Sequence, residues 1–385
     1  MRSVELFAGC GGLALGAHQA GFVHDSLVEW NARCCETLRA NQAADHPMMR
    51  GVGVIEGDVR DVDWSRFADR VDLLSGGPPC QPFSAGGKGL AAGDPRDMFP
   101  AAVEAIRTIR PNVFVIENVR GFTRARFADY YAYIQARLAR PEIVPREGES
   151  WSEHHQRLRK EQSRPNHGLG YEVTASLVDA ADYGVPQHRW RVFMVGFRND
   201  IGADRWSFPA PTHSGDALAR IKQSGEYWDR HRVPVSDRPA PGTALRGDGD
   251  GLLAWRTVRD ALNGMPEPTT GGDGMWADHV LREGARAYPG HTGSEWDGPA
   301  KTLKAGSHGV PGGENMLDKG DGTVRYFTAR EAARLQTFPD DWVLVGPWGE
   351  QMRQLGNAVP VGLARAVVVS VHEHLIRSGR APVWA

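Results

Sequence analysis

Seven short apolar runs, separated by stretches with helical spacing, fill the first half of this 385-residue chain and leave few folds open to it. Residues 4–7, 22–28, 52–56, 71–75, 113–116, 173–178 and 191–197 read as strands. Most are rich in β-branched residues, and several are bounded by Gly, Asp or Pro. Residues 12–20, 31–40, 100–109 and 127–138 carry apolar side chains at helical spacing. Buried strands alternating with helices predict a doubly wound, mostly parallel α/β sheet covered on both faces.

The pattern breaks twice. Residues 141–168 are polar, with 151–162 readable as a solvated helix inserted before a strand. Between about 199 and 325, Gly and Pro become dense and both periods fade, which is too long for one loop in a compact domain. A second, smaller, loop-rich domain is expected there. Order returns at Thr328-Ala-Arg-Glu331, a capping box that opens a helix ending near Phe338. A last helix over 361–376 has an apolar face of Leu363, Val367, Val368, Val371 and Leu375. The expected division is 1–198 plus 326–385 as a discontinuous first domain and 199–325 as the second.

Composition narrows the classes. Apolar residues at 41% and charged residues at 24% match an ordinary globular protein. Forty-five basic against 47 acidic residues give a net charge of −2, so any nucleic-acid site must be a local patch. Arg120, Arg124 and Arg126 form one such cluster. The four cysteines, Cys10, Cys34, Cys35 and Cys80, form no C-x-x-C pair, which argues against a zinc site or disulfide framework and for a reducing cytoplasm. The N-terminus runs straight into a strand without a basic leader, and no window of 18 uncharged apolar residues is evident, so no membrane span is expected.

Phe7-Ala-Gly-Cys-Gly-Gly12 follows the first strand and opens the first helix. Gly9, Gly11 and Ala14 match the G-x-G-x-x-G/A spacing that lets backbone approach a nucleotide. Glu29 ends the second strand, where a carboxylate accepts hydrogen bonds from ribose hydroxyls. Trp30 beside it offers a face for adenine, and Asp58, after the third strand, an acceptor for an exocyclic amine. The fingerprint alone does not separate NAD from S-adenosylmethionine.

Cys80 lies between prolines in Gly76-Gly-Pro-Pro-Cys-Gln-Pro-Phe-Ser84, after the fourth strand, held where its backbone cannot relax into a helix. The other three cysteines read as small buried hydrophobes. The next strand ends in Glu117-Asn-Val119, and two strands later Gln187-His-Arg-Trp-Arg191 sets Arg189 and Arg191 on one face of an extended segment. A thiol, an acid and two guanidinium groups at one rim suit nucleophilic attack on an electron-poor ring.

These motifs resemble those of the DNA (cytosine-5) methyltransferases of bacterial restriction–modification systems. Phe7–Gly12 resembles the cofactor motif, Pro78–Ser84 the nucleophile loop, Glu117–Val119 the acid motif, Gln187–Arg191 the arginine motif and Gln354-Leu-Gly-Asn-Ala-Val-Pro360 the closing motif, in matching order. The resemblance implies an S-adenosylmethionine-dependent, Rossmann-like catalytic domain, with 199–325 as target recognition domain. It implies that Cys80 adds to C6 of a flipped cytosine, Glu117 contacts N3 and the amine, Arg189 and Arg191 hold O2 and the activated ring, and Asn118 supports the loop. It places Phe7, Ala8, Gly9, Cys10, Gly11, Gly12, Glu29, Trp30, Asp58, Val59, Pro79, Met98, Asn357 and Val359 around S-adenosyl-L-methionine, with S-adenosyl-L-homocysteine as product and no metal. DNA contacts are expected from Gln81 and Ser84, from Lys88 and Arg96 in the Gly-rich stretch 84–97, and from Lys301, Lys304, Ser307 and His308.

The implied partners are double-stranded DNA, bound by a monomer, and a cognate restriction endonuclease; the implied location is the bacterial cytoplasm at the nucleoid. The same chemistry on tRNA is a rival reading, to which the length of 199–325 is unfavourable. An NAD-dependent dehydrogenase would use the glycine turn but leaves Cys80, Glu117 and Arg189 without a role. A non-catalytic DNA-binding module would have no use for Cys80 and Glu117.

Overall fold

A computed structural model of the chain describes residues 1–79, 97–162, 168–204, 206–239, 251–272, 274–289, 291–305 and 315–379. Its centre is a seven-stranded sheet. In chain order the first part of the protein runs β1 (Arg2–Leu6), α1 (Gly12–Gln19), β2 (Val23–Glu29), α2 (Ala32–Ala43), β3 (Gly53–Glu56), β4 (Leu73–Gly76), α3 (Phe99–Ile109), β5 (Val113–Val119), α4 (Ala128–Ala139), α5 (Trp151–Gln162), β6 (Tyr171–Asp179) and β7 (Trp190–Arg198). The sheet order is β3-β2-β1-β4-β5-β7-β6. Strands β1 to β5 pair in parallel, whereas β7 runs antiparallel to β5. Every expected strand and helix of this half is present, with ends moved by a few residues; the antiparallel strand is what the apolar runs could not announce, because a run carries no direction.

The centre of the sheet is inaccessible to water. Leu73, Leu74, Val113–Ile116 and Val192–Val195 are wholly buried, which is why these strands read as continuous apolar runs instead of alternating ones. Phe99 and Phe122 stack with ring centroids 4.9 Å apart, and Phe114 packs against Tyr171. The polar stretch before β6 forms the expected helix α5. It is not merely solvated: Trp151 packs on Tyr130 and Tyr133, and His154 joins the Tyr133 hydroxyl to the Ile143 carbonyl.

The chain divides into two compact units, Met1–Val178 with Trp190–Phe208 and Ala364–Ala385, and Asp179–Arg189 with Pro209–Leu363. The division falls at 208 and 363 instead of 198 and 326, and the second unit also takes 179–189. The second unit holds β8 (His213–Ser214), α6 (Gly215–Gln223), α7 (Glu226–Arg230), β9 (Leu253–Ala254), α8 (Val258–Leu262), β10 (Met316–Asp318), β11 (Val324–Tyr326), α9 (Ala329–Leu335) and α10 (Trp348–Asn357). The expected capping box at Thr328 and Glu331 is formed. Residues 326–363 go with this unit because α9 packs against both α8 and α10. Its strands are two or three residues long, so neither period can accumulate in the sequence.

The last helix, α11, spans Val361–Arg377. With α10 it makes one stretch, Trp348–Arg377, long and apolar enough to cross a membrane by length and composition alone. Its face of Leu363, Val367, Val368, Val371 and Leu375 is wholly buried in protein, as in the core helix of a globular fold. On α1, Gly16 lets the C-terminal helix approach: a Cβ there would overlap Ala364 Cβ and lie 2.7 Å from the Arg365 amide. Gly16→Ala is therefore expected to lower unfolding free energy by about 1–3 kcal/mol, read by urea denaturation, even though Ala is the better helix former.

Candidate active site

The order of the strands fixes where a ligand can enter. β1 has β2 on one side and β4 on the other, so the chain reverses its winding there and opens a crevice beyond the carboxyl ends of the strands. The glycine turn leaves β1 at this point. Phe7, Gly9 and Gly11 all take positive φ (55°, 55° and 90°), and α1 starts at Gly12. Gly11 supplies no side-chain cap, and of the first-turn amides that of Ala14 goes to Glu5, leaving those of Gly12 and Leu13 to a ligand or solvent.

Glu29 shapes the turn from the neighbouring strand. The Gly9 amide donates to its Oε2 at 2.8 Å and the Asn31 amide to its Oε1 at 2.7 Å. Each oxygen keeps a further lone pair for a hydroxyl. Trp30 follows with 73% of its surface exposed, an indole with no structural reason to be uncovered. Ala8, Cys10, Gly12 and Val59 are buried; Pro79 and Met98 are half-buried. Asp58 lies at the exit of β3, and the Arg60 guanidinium beside it donates to both of its oxygens (3.0 and 2.6 Å), holding its carboxyl below the usual range. That partner was absent from the sequence reading. An open indole, a carboxylate with spare acceptors and uncapped amides fit an adenosyl amino acid.

Beneath the turn lies a polar cluster that the sequence reading missed. Glu5 of β1 is buried, accepts from the Ser75 hydroxyl at 2.8 Å and takes the Ala14 amide. The Ala14 carbonyl faces His24 Nε2 at 2.9 Å, and His24 Nδ1 faces the Ser3 hydroxyl at 2.9 Å. Ala14, the last small residue of the fingerprint, is thus held at both of its backbone polar groups. The available signal was a charged residue in the middle of an apolar strand.

The acid side is built by β4, β5 and β7. Gly76 pairs with Ile116, placing Gly77 beside Glu117, where a Cβ would lie 2.9 Å from Glu117 Oε2. The antiparallel register sets Glu117 opposite Phe193 and Val119 opposite Arg191. Glu117 and Arg191 are therefore diagonal neighbours on one face. They pair at 2.6 Å, both only 7% exposed. Asn118 points to the other face and donates to the Pro78 carbonyl at 3.1 Å. The chain two residues before Cys80 is thus fastened to the strand that carries the acid.

Arg189 and Arg191 have different surroundings. Arg191 belongs to the first unit; Arg189 belongs to the second and is wholly buried. The Arg189 guanidinium donates to the carbonyls of Leu303 (2.8 Å), Gly356 (2.7 Å) and Ala358 (2.8 Å). Those carbonyls flank Asn357, which is exposed, and Val359, which is buried. Gly356 abuts the backbone of 304–305, where a Cβ would overlap Ala305. Thr302 donates to the His188 carbonyl at 2.6 Å, so the stretch carrying the exposed Lys301 and Lys304 is laid against the arginine motif inside that unit. Lys301 Nζ donates to the Thr292 hydroxyl. Cys80, Gln81, Ser84, Lys88, Arg96, Ser307 and His308 lie outside the described residues. No group of three or more metal-ligating side chains occurs among the described residues.

Burial pushes the Glu5 carboxyl up to about 8 and lowers His24 to about 4, so both are neutral at pH 7. Between about pH 6.5 and 8 the folded chain keeps the Glu5 proton that the unfolded chain has already lost, so stability falls as pH rises and levels off above 8. His24 gives the opposite slope, confined below about 6.5. Glu5→Gln keeps the shape and removes the ionisation. Its melting temperature is expected to gain on wild type steadily from about pH 6.5 to 8, followed by calorimetry.

The sequence matches the C-5 cytosine-specific DNA methylase family over residues 1–139 and 152–373. The gap falls on the turn that leads into α5. Type II methyltransferase M.PspPI of Psychrobacter sp. is 34% identical, over 94% of this chain and 77% of the relative. Type II methyltransferase M.NgoMIV of Neisseria gonorrhoeae is 30% identical, over 95% of both. Among solved structures, the S. pombe Dnmt2 methyltransferase superposes with a TM-score of 0.57 at 18% identity, over 98% of this chain and 99% of its own, which bears on the fold alone. With both relatives and the family match running almost end to end, the chain belongs to the C-5 cytosine-specific DNA methylase family.

Proposed function

We propose that this protein transfers a methyl group from S-adenosyl-L-methionine to C5 of a cytosine extruded from a specific short sequence of duplex DNA, with Cys80 as nucleophile. The observation that carries it is the buried Glu117–Arg191 pair at the exit of β5, next to a strand exit whose Pro78 carbonyl is tied to Asn118 two residues before Cys80. A base inside a helix offers neither ring face, so the nucleotide must leave the stack.

The Cys80 thiolate bonds to C6, and the C5–C6 π pair moves to C5. Glu117, ion-paired in the resting site, takes up a proton as the base binds, shares it with N3 as negative charge reaches the ring, and recovers it when the ring is restored, while Arg191 holds the acid and the O2 side of the ring. S-adenosylmethionine, when bound, would supply a methyl group on a sulfonium, to which C5 would bond as the S–CH3 bond breaks and S-adenosylhomocysteine leaves. Solvent water takes the C5 proton, its electron pair re-forms the C5–C6 π bond, and the C6–Sγ bond breaks, restoring the ring and the thiolate. Glu29, Trp30 and the glycine turn are assigned to hold the adenosyl end; Asn357 and Val359 are also assigned to cofactor binding. Arg189 acts as a positioning residue, fixing the carbonyls on either side of Asn357. We assign DNA contacts to Gln81, Ser84, Lys88, Arg96, Lys301, Lys304, Ser307 and His308. A monomer acting in the bacterial cytoplasm at the nucleoid, alongside an endonuclease for the same site, completes the reading.

Labelled methyl transfer decides it. Wild type should modify duplex DNA and leave tRNA unmodified, and a 5-fluorocytosine duplex should trap a covalent adduct. Cys80→Ser should abolish both transfer and adduct. Glu117→Gln should lower kcat by about 10²–10³-fold while cofactor still binds. Methylation persisting in Cys80→Ser would overturn the assignment.

A further inference from the structure

Immediately beyond the acid, β5 runs into two short turns of 3-10 helix, Arg120–Thr123 and Ala125–Phe127. Their side chains sort sharply. Phe122 and Phe127 are buried, Phe122 stacked on Phe99 and edge-on to Tyr131. Arg120, Arg124 and Arg126 all face solvent. Across residues 120–129 the only acid is Asp129, against three arginines, in a chain whose net charge is −2. None of the three makes an ion pair among the described residues. The buried phenylalanines fix the turns, so the arginines are presented on a rigid base.

Trp190 completes the arrangement. It begins β7, is 39% exposed, and lies under the Arg120 guanidinium, 5.2 Å from Cζ to the ring centroid. Its carbonyl accepts from Arg191 Nη1 at 2.9 Å. Burial does not explain an exposed tryptophan at this position. What it does is seat the Arg120 guanidinium over its ring, a contact of about 0.5–1 kcal/mol at an exposed site, while leaving guanidinium N–H groups to donate outward. Arg120 follows Glu117 by three residues and Trp190 precedes Arg191 by one. Both halves of the platform are thus covalent continuations of the acid–guanidinium pair.

We infer that Arg120 stacked on Trp190 is a clamp for the phosphodiester of the DNA strand next to the extruded cytosine, with Arg124 and Arg126 extending the positive surface along that strand. This rests on the reading of the protein as a DNA cytosine methyltransferase. A nucleotide that puts its ring against Glu117 must leave its sugar and phosphates at the rim. A planar guanidinium held by an indole presents paired N–H donors to phosphate oxygens there. A phosphate contact raises affinity for any sequence, so the clamp would hold register without reading bases.

The test is DNA binding and steady-state methylation across a salt series, with wild type, Arg120→Ala, Arg120→Lys, Trp190→Ala and Arg126→Ala. Arg120→Ala should raise KM for duplex DNA about tenfold, more than it lowers kcat, and make the slope of log K against log salt shallower by about one unit. Arg120→Lys should restore the salt slope but only part of the affinity, because the stacked plane is lost. Trp190→Ala should weaken DNA binding while keeping the slope, and Arg126→Ala should have a smaller effect. Cofactor affinity, by calorimetry, reports folding. If Arg120→Ala loses cofactor binding too, Arg120→Lys and Trp190→Ala decide the question. Wild-type DNA affinity and salt slope in the Arg120 variants would overturn the clamp alone. A wild-type enzyme that methylates no duplex would overturn the underlying reading instead.

Discussion

The pairing of Glu117 with Arg191 is the constraint around which the first unit is organised. Two charges this deeply buried are tolerated only as a pair, since removing either partner leaves the other desolvated at a cost of about 3–5 kcal/mol. Their meeting depends on the one antiparallel junction in the centre of the sheet, β5 against β7. A slip of one residue would send Arg191 to the opposite face. Gly77 leaves room for the pair, because a Cβ there would lie 2.9 Å from Glu117 Oε2 and the carboxylate would have to shift. One ion pair therefore fixes the register of two strands and the path of a third strand's exit. Asn118, on the opposite face of β5, fixes the Pro78 carbonyl of that same exit.

The glycine turn is held by a different logic. Its conformation is strained, with a bulky Phe7 at positive φ, and it is kept in place by carboxyl groups on two sides. Glu29 grips the Gly9 amide from the neighbouring strand, and Glu5 with Ser75, His24 and Ser3 secures the start of α1 from below. The upper carboxylate sits at the rim where a ligand can share it; the lower one is sealed and neutral at pH 7. A turn fastened this way keeps its amides aimed before any ligand arrives, which lowers the ordering cost of binding.

Local pattern carried most of the first unit. Strand and helix positions follow from periodicity and bounding Gly and Pro, and Gly9, Glu29, Trp30 and Glu117 follow from their places at strand ends. What escaped is non-local. The direction of β7 is set by the partner it meets, not by its own sequence. Arg60 over Asp58 is a side-chain choice between neighbours. The Glu5–Ser75 contact joins residues 70 apart in sequence, and α6 and α8 lie in a segment whose dense Gly and Pro suggested loops. The expected boundary at 326 rested on a sound observation, the capping box, but a helix start says nothing about which unit the helix joins.

The arginine motif shows how far spacing can be trusted. Two residues apart in an extended segment, Arg189 and Arg191 should share a face and a task. Between them, at residue 190, the chain passes from one unit to the other, and the two guanidinium groups are used differently. Arg191 neutralises an acid; Arg189 gathers the carbonyls of Leu303, Gly356 and Ala358 into one place. A planar group with five donors suits the second task as well as the first, and lysine, a compact point charge, would not satisfy three carbonyls in that fixed fan. Residue type thus follows geometry at both positions, and the motif is better understood as two structural demands that fall on adjacent turns of the pleat than as one pair of like residues acting together.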